Sequence, residues 1–356
     1  MENCIKKYDV VDMKDIKEVG YKNAAFGKMV QMLTRKGVLT PSGFAVTAAA
    51  YRYFLSYNKL DSQLKLLMTA LDKKDFSNLA ELGEKARKLI GDGKMPSDLG
   101  MKIMDAYDYA FDMTNVPVAV RSSAISDHLA DGAASGLNDS YLNVQGHGAL
   151  LYAIRRCFVS TYNDRAIRYA AERGYDPAAT AMSVGVQEMI RADNGASGIG
   201  YTPYLEPDSK KVIRLKAIWG LGELINHENV QLDEYNIFNW LSQTATTALI
   251  EKQLGKKHKM MIYADEDDET NQTVLTDTPI NLQQRFVLDD DEIRRLASWA
   301  VLIDEIYQQP MCFEWAKDGR IHQLYLLQVY PLKDVDQTKM PDNNLQPDYQ
   351  LKANLT

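Results

Sequence analysis

The stretch "VAVRSSAISDHLADGAASG", residues 118–136, runs from an apolar segment into an arginine and then into small and hydroxyl residues. Arg121 supplies a forked cation, and the small residues up to Gly136 let backbone N–H groups come close to an anion. A polyphosphate is the ligand such a loop suits best. A plain surface turn with a salt-bridged arginine would use the same residues. Lys22 follows Gly20 at a helix start, where a cation with free N–H groups nearby favours an anion. Near the other end, "PMCFEWA" and "LYLLQVYP" flank the turn "KDGRIHQ" and read as a hairpin. Period-2 geometry puts Cys312 and Glu314 on one face of its first strand, and Gln328 and Tyr330 on one face of the second. A carboxylate opposite an amide carbonyl suits Mg²⁺, although an exposed polar face would look the same. "SVGVQEMI" is a strand whose backbone around Gln187–Met189 could read a nucleobase edge, or any buried strand. "WGLGE" is a glycine turn with a candidate ligand carboxylate, Glu223, or a strand end.

These groups need elements to hold them. The periodicity of Phe26, Met29, Val30 and Leu33 predicts a helix closed at Gly37. Residues 44–113 read as several helices, with Leu55, Leu60, Leu64, Leu67 and Leu71 in the core. A short strand, 116–120, is expected to end at Arg121. A long helix is predicted over 148–172, with Leu151, Ile154, Phe158 and Tyr162 on one face. Strands are predicted at 180–190 and 211–220. A further helix begins after Asp289 or Asp290 and buries Ile293, Leu296, Ala300, Ile303 and Tyr307. The polar stretch after Pro331 reads as a linker.

The 356 residues favour two lobes. A formal net charge of -7 argues against a broad nucleic-acid surface. Three separated cysteines, Cys4, Cys157 and Cys312, lack metal-type spacing and read as reduced thiols. No run of 18 apolar residues and no apolar leader is visible, so a cytoplasmic protein with no membrane partner is predicted.

Taken in order, "VGYKNAAFGKM", "TPSGFAVT", "VAVRSSA", "SYLNV", "SVGVQEMI", "GIGYT", "WGLGE", "LGKKHKMMIY", "QRFVLDDDEI" and "PMCFEWAKDG…LYLLQVYP" resemble the N-terminal ATP-binding domain of pyruvate, water dikinase (phosphoenolpyruvate synthase), with pyruvate, phosphate dikinase as a related family. The resemblance covers about residues 8–332. It implies an α/β (α+β), ATP-grasp-like, two-lobed nucleotide-binding fold with a helical N-terminal region. Residues 1–335 would form that domain, and 336–356 a linker toward a swivelling phosphohistidine domain. The family moves the β-phosphoryl of ATP to that domain's histidine, and a third domain passes phosphate to pyruvate. Carried over by motif, Lys22, Arg121, Gly136, Ser140, Gln187 and Glu223 would hold the nucleotide. Lys22 and Arg121 would be the catalytic cations. Glu314 and Gln328 would bind Mg²⁺ and phosphates.

Ser140 stands where the family usually has threonine, a mild change, and three other departures matter more. Tyr21 replaces a glycine, Cys312 an acidic residue, and Tyr330 an arginine. The last two put the transfer step in question while leaving the binding side intact, because a transferring phosphoryl group needs positive charge. None of the five histidines, His128, His147, His227, His258 and His322, sits in a phospho-acceptor motif. Two alternatives therefore stand beside a dikinase domain working with partner domains. One is a degenerate nucleotide-binding or regulatory module. The other is the ATP-binding subunit of a split dikinase such as phenylphosphate synthase.

Overall fold

The structure, a computed structural model, describes residues 3–111, 115–125, 139–203, 212–226, 230–238, 249–264 and 273–332. Gly136, His128, His227 and the polar segment from 333 onward lie outside the described residues. Helix and sheet are mixed, as the sequence predicts, and the strands form two main sheets.

The first sheet contains β1 (Ile5–Lys7), β2 (Gly43–Val46), β3 (Val118–Ile125), β4 (Ser140–Val144) and β5 (Ala181–Glu188), in the order β1-β2-β5-β3-β4. All its pairings are antiparallel. Alternation along the strands separates two kinds of residue. Phe44, Val46, Val118, Val120, Val184 and Val186 enter a large core. That core is completed by α2 (Ala48–Tyr57), α3 (Asp61–Thr69), α4 (Leu79–Gly91), α5 (Ser97–Phe111), α6 (Gly146–Val159) and α7 (Asp164–Glu172). The intervening residues, Ala45, Ser123, Ser183 and Gly185, are small. Against their face lies α1 (Ile16–Leu33), which packs on β3 and β5.

The second sheet has the order β13-β12-β6-β7-β8-β9, comprising β6 (Ala196–Tyr201), β7 (Ile213–Trp219), β8 (Asp233–Phe238), β9 (Leu249–Gln253), β12 (Met311–Lys317) and β13 (Leu324–Pro331). A ribbon of β10 (Lys259–Tyr263) and β11 (Thr273–Asp277) and a short helix, α8 (Ile280–Gln283), precede α9 (Asp290–Tyr307). Asp289 and Glu292 form a reciprocal cap at the start of α9, which satisfies two backbone donors there. Ile293, Leu296, Ala300 and Ile303 of α9 pack with Phe313, Trp315, Leu215 and Tyr235 of the sheet. The other face of this sheet is more polar and is turned away from α9. Because α1 packs on β13 as well as on β3 and β5, it joins the two sheets.

Four expectations need correcting. The sequence reading gave 44–113 to helices alone, but β2 lies at 43–46 and pairs with both β1 and β5. Arg121 does not end its strand. β3 continues to Ile125 because its full length pairs with β5, and on the α1 face Ser123 is small enough to sit against Gly20. The 148–172 helix is broken: α6 ends at Val159, a 3₁₀ turn spans Ser160–Tyr162, and Asn163 is extended (φ -62°, ψ 141°) before α7. Arg87 holds this break by donating to the Tyr162 carbonyl (2.8 Å) and to Asp164 (2.6 Å). Leu67 is only partly buried, unlike Leu55, Leu60, Leu64 and Leu71.

Asp233 is a fully buried hub. Its carboxylate accepts from Lys257 Nζ, from Gly255 N–H (2.8 Å), from Val287 N–H (2.8 Å) and from the Tyr235 hydroxyl (3.3 Å). Lys257 is also fully buried and donates to the Gly255 carbonyl at 2.9 Å. The pair fastens β8 to the approaches of β10 and α9. Removing one member of such a buried pair strands the other charge, which costs about 3–5 kcal/mol. Asp233→Ala should therefore shift the denaturation midpoint strongly downward. Adding Lys257→Met to that variant should recover part of the loss, since no charge is then left unpaired. Equal midpoints for the single and double variants in denaturant titrations would contradict this coupling.

Candidate functional site

Helix α1 is not continuous. Gly20 has φ 73° and ψ 164°, outside helical space, so a short first turn is followed by a longer helix that begins at Tyr21. The break brings the chain against β3 so closely that a Cβ at Gly20 would collide with Ser123 Oγ and the Ser123 carbonyl. Glycine is required here both for the left-handed φ and for the contact. Lys22 stands two residues later. Its pKa is lowered, first by burial and then by repulsion from Arg121, while Glu314 and Cys157 act in the opposite direction. Lys22, Arg121 and Glu314 are thus close enough to feel one another although 292 residues separate the first and last.

Arg121 lies on the α1 face of β3 and reaches the second sheet, where its Nη1 donates to Gln328 Oε1 at 3.5 Å. Gln187, on the same face of β5, donates to the Leu327 carbonyl at 3.4 Å. In the hairpin, Glu314 pairs directly with Gln328, and Cys312 with Tyr330. The expected face is present: Cys312, Glu314, Gln328 and Tyr330 stand together. The structure brings Lys22, Arg121, Gln187, Glu314 and Gln328 into one cleft between the sheets. Ser140 is exposed on β4, opposite Arg121 in register. Glu223 is exposed in a 3₁₀ turn (Gly222–Asn226), where it accepts from Thr273 Oγ1 at 3.4 Å; no contact joins it to the cluster.

Beside Glu314, the Cys312 thiol and the Tyr330 phenol share a 3.3 Å hydrogen bond. Burial raises the pKa of both, pushing the thiol up to about 12 and the phenol beyond it. Neither carries charge near neutral pH. The cleft face therefore presents two cations, one carboxylate, two amides and a neutral thiol–phenol pair. Among the described residues, no group of three or more His, Cys, Asp or Glu side chains gathers as a metal cage. One carboxylate facing one amide carbonyl is nevertheless a fitting donor set for Mg²⁺ shared with phosphate oxygens, because this ion keeps waters and binds few protein carboxylates.

The sequence reading missed two features. An apolar cluster of Ile190, Ala192, Leu221 and Ala316, edged by Met189, Met261, Tyr263, Tyr325 and Leu327, adjoins the polar cleft through Leu327. Its members come from five separate segments, so no local pattern marks it. The other is Asn23, buried next to Lys22. An asparagine inside an apolar helical pattern is the signal that could have exposed it.

Among the described residues, no helix is long and apolar enough to cross a membrane. The family described as "Pyruvate phosphate dikinase, AMP/ATP-binding domain" matches residues 16–349. Phosphoenolpyruvate synthase of Aquifex aeolicus is 40% identical over 332 residues, covering 91% of this chain and 38% of that protein. The protein of the same name from Neisseria meningitidis serogroup B is 36% identical, covering 93% of the chain and 42% of the relative. That from Escherichia coli is 35% identical, covering 91% and 41%. The chain thus spans about two fifths of the length of the relatives it matches. A two-sheet cleft with paired cations, an ATP-grasp-like arrangement and a match over nearly the whole chain lead to one assignment: this chain belongs to the pyruvate phosphate dikinase AMP/ATP-binding domain family.

Proposed function

We propose that residues 1–335 clamp Mg·ATP as the nucleotide half of a phosphoenolpyruvate synthase-like dikinase. The β-phosphoryl would pass to a histidine on a separate domain, toward which residues 336–356 lead, and a pyruvate-binding domain would take it onward. The observation that carries this reading is the convergence of Arg121 and Gln187 on the Glu314–Gln328 pair with Lys22 nearby, where the Arg121 charge helps lower the lysine's pKa by repulsion. A polyanion relieves it and turns a cost into binding energy. Arg121 would grip phosphate oxygens with its fork, and Lys22 would act as a point charge. Glu314 and Gln328 would hold Mg²⁺, which would neutralise phosphate charge. Gln187 borders both sheets and would close the cleft over the sugar and phosphates. The apolar cluster edged by Met189, Met261 and Leu327 would take the base. Of the described histidines, His147 and His258 bond Asp108 and Gln283 and His322 is exposed in the turn of the last hairpin, which agrees with an acceptor supplied by another domain.

One observation favours a second reading, a nucleotide-binding module that transfers poorly. Tyr330 and Cys312 spend their polar atoms on each other and bring no charge to the phosphates. Phosphoryl transfer depends on charge stabilisation, so this neutral pair should lower rate more than affinity.

Calorimetry on the intact chain should detect Mg·ATP binding. Arg121→Ala should weaken it at least about tenfold, because a charge-assisted contact contributes about 1.5–3 kcal/mol. A folded wild-type chain with no heat of Mg·ATP binding would defeat the proposal.

Protonation gives an independent handle. In the free protein Lys22 releases its proton below the ordinary lysine value of 10.5. Bound triphosphate favours the charged amine, so its pKa rises on binding. Between the two values, binding should take up protons and apparent affinity should fall as pH rises. For the free protein the same lowered pKa means that Lys22 adds stability with rising pH across the window up to 10.5. Calorimetry in buffers of different ionisation enthalpy reads the uptake, and Lys22→Met should abolish it.

The second reading is separable by transfer. With β-labelled ATP and an added swivelling histidine domain, Cys312→Asp combined with Tyr330→Arg should carry more label to histidine than either single change. An unchanged rate in a folded double variant would remove this pair as the limiting feature.

A further inference from the structure

Asn23 is 4% exposed, and its side chain makes three hydrogen bonds to three parts of the chain. Its Oδ1 accepts from the Tyr8 hydroxyl at 2.9 Å. Its Nδ2 donates to Ser183 Oγ on β5 at 3.0 Å and to the Val19 carbonyl at 3.1 Å. Ser183 in turn donates to the Val46 carbonyl at 2.7 Å, so the chain of bonds reaches β2. The Val19 bond crosses the break at Gly20. The amide side chain there bonds a carbonyl that faces the interruption of the helix. Beneath Asn23, β5 carries Gly185, where a Cβ would strike both the Asn23 amide oxygen and the Tyr8 hydroxyl.

The break at Gly20 uncouples the longer part of α1 from its first turn, so the rotation of that part is set by its own contacts. Lys22 and Asn23 are neighbours about 100° apart around that axis, the step set by 3.6 residues per turn. Fixing the direction of one fixes the direction of the other. We propose that Asn23 is a positioning residue: its bonds to Tyr8, Ser183 and Val19 lock the rotation of α1 and so aim Lys22 into the cleft beside Arg121. This rests on the nucleotide-binding reading above and adds that the lysine's aim is set from the adjacent face of the helix. Tyr8 connects the same network to the cation pair, since Arg121 is close enough to affect the Tyr8 phenol electrostatically.

The test compares ATP with AMP on the intact chain. A lock that aims Lys22 at the outer phosphates matters for the triphosphate and little for the nucleoside monophosphate. Asn23→Ala should weaken ATP binding about tenfold, the equivalent of one misdirected charged contact, while AMP binding stays within about twofold. Alkaline proton uptake on ATP binding should shrink in parallel. Tyr8→Phe deletes one bond and keeps the ring packed against Phe26, so it should show the same selectivity at smaller size. It also carries the test if Asn23→Ala fails to fold. Equal weakening of ATP and AMP in a folded variant, or no weakening of either, would overturn the positioning role. A wild-type chain that binds neither nucleotide would instead defeat the reading on which it rests.

Discussion

The site depends on two cations, Lys22 and Arg121, brought close together from different elements. Lys22 and Arg121 lie on different elements, and burial together with the nearby Arg121 charge lowers the Lys22 pKa. Glu314 compensates only in part. The fold must therefore force the approach, and its means are steric. The small residues Ala45, Ser123, Ser183 and Gly185 let α1 settle close to β3 and β5. Larger side chains there would lift the helix and let the cations separate. The helical layer behind the first sheet and α9 behind the second pack the outer faces of both sheets.

Each sheet is divided in the same way. One face is apolar and buried under helices, and the other contributes to the cleft. Period-2 alternation does most of this sorting, so the polar side chains between the sheets and the core side chains share strands without competing for space. In β12, Phe313 and Trp315 anchor the strand in the core while Cys312 and Glu314 look the other way. Positioning of Glu314 is thus a by-product of burying two aromatic rings. The Asp233–Lys257 hub does similar work by polar means, tying the loop before β10 and the start of α9 to a single carboxylate.

Much of this was legible in the sequence where local chemistry is decisive. The acidic run at 289–292 and the spacing of Ile293, Leu296 and Ala300 locate α9 and its cap. Alternation on both sides of "KDGRIHQ" gives the last hairpin and its shared face. Elements defined by distant pairing were not legible. β2 is a four-residue strand inside an apolar stretch that suits a helix equally well. The serines after Arg121 read locally as a loop, yet their pairing with Ser183 and Val184 makes them strand. The convergence of Lys22, Arg121 and Glu314 rested on family resemblance, because no periodicity reports which sheet faces which. Asn23 escaped notice because its partners, Tyr8 and Ser183, are remote in sequence from one another.

The pairing of β12 with β13 slips by one residue between Glu314 and Trp315, leaving Leu327 as the extra residue. Without that slip, consecutive residues would alternate strictly, and Leu327 and Gln328 could not both point away from the α9 core. The bulge resets the phase of β13, so that an apolar residue for one end of the cleft is followed at once by an amide for the other. Two ligand chemistries are thereby placed side by side on a single strand. The hairpin consequently has an uneven tolerance to changes in length. Gaining or losing a residue in the 318–323 turn keeps the phase of both strands but disturbs the bonds of Asp318 and Gly319 to Arg191. Losing Leu327 would remove the bulge and its apolar contact while strict alternation kept Gln328 and Tyr330 on the cleft face and Val329 in the core, whereas losing Val329 would turn Tyr330 toward the core.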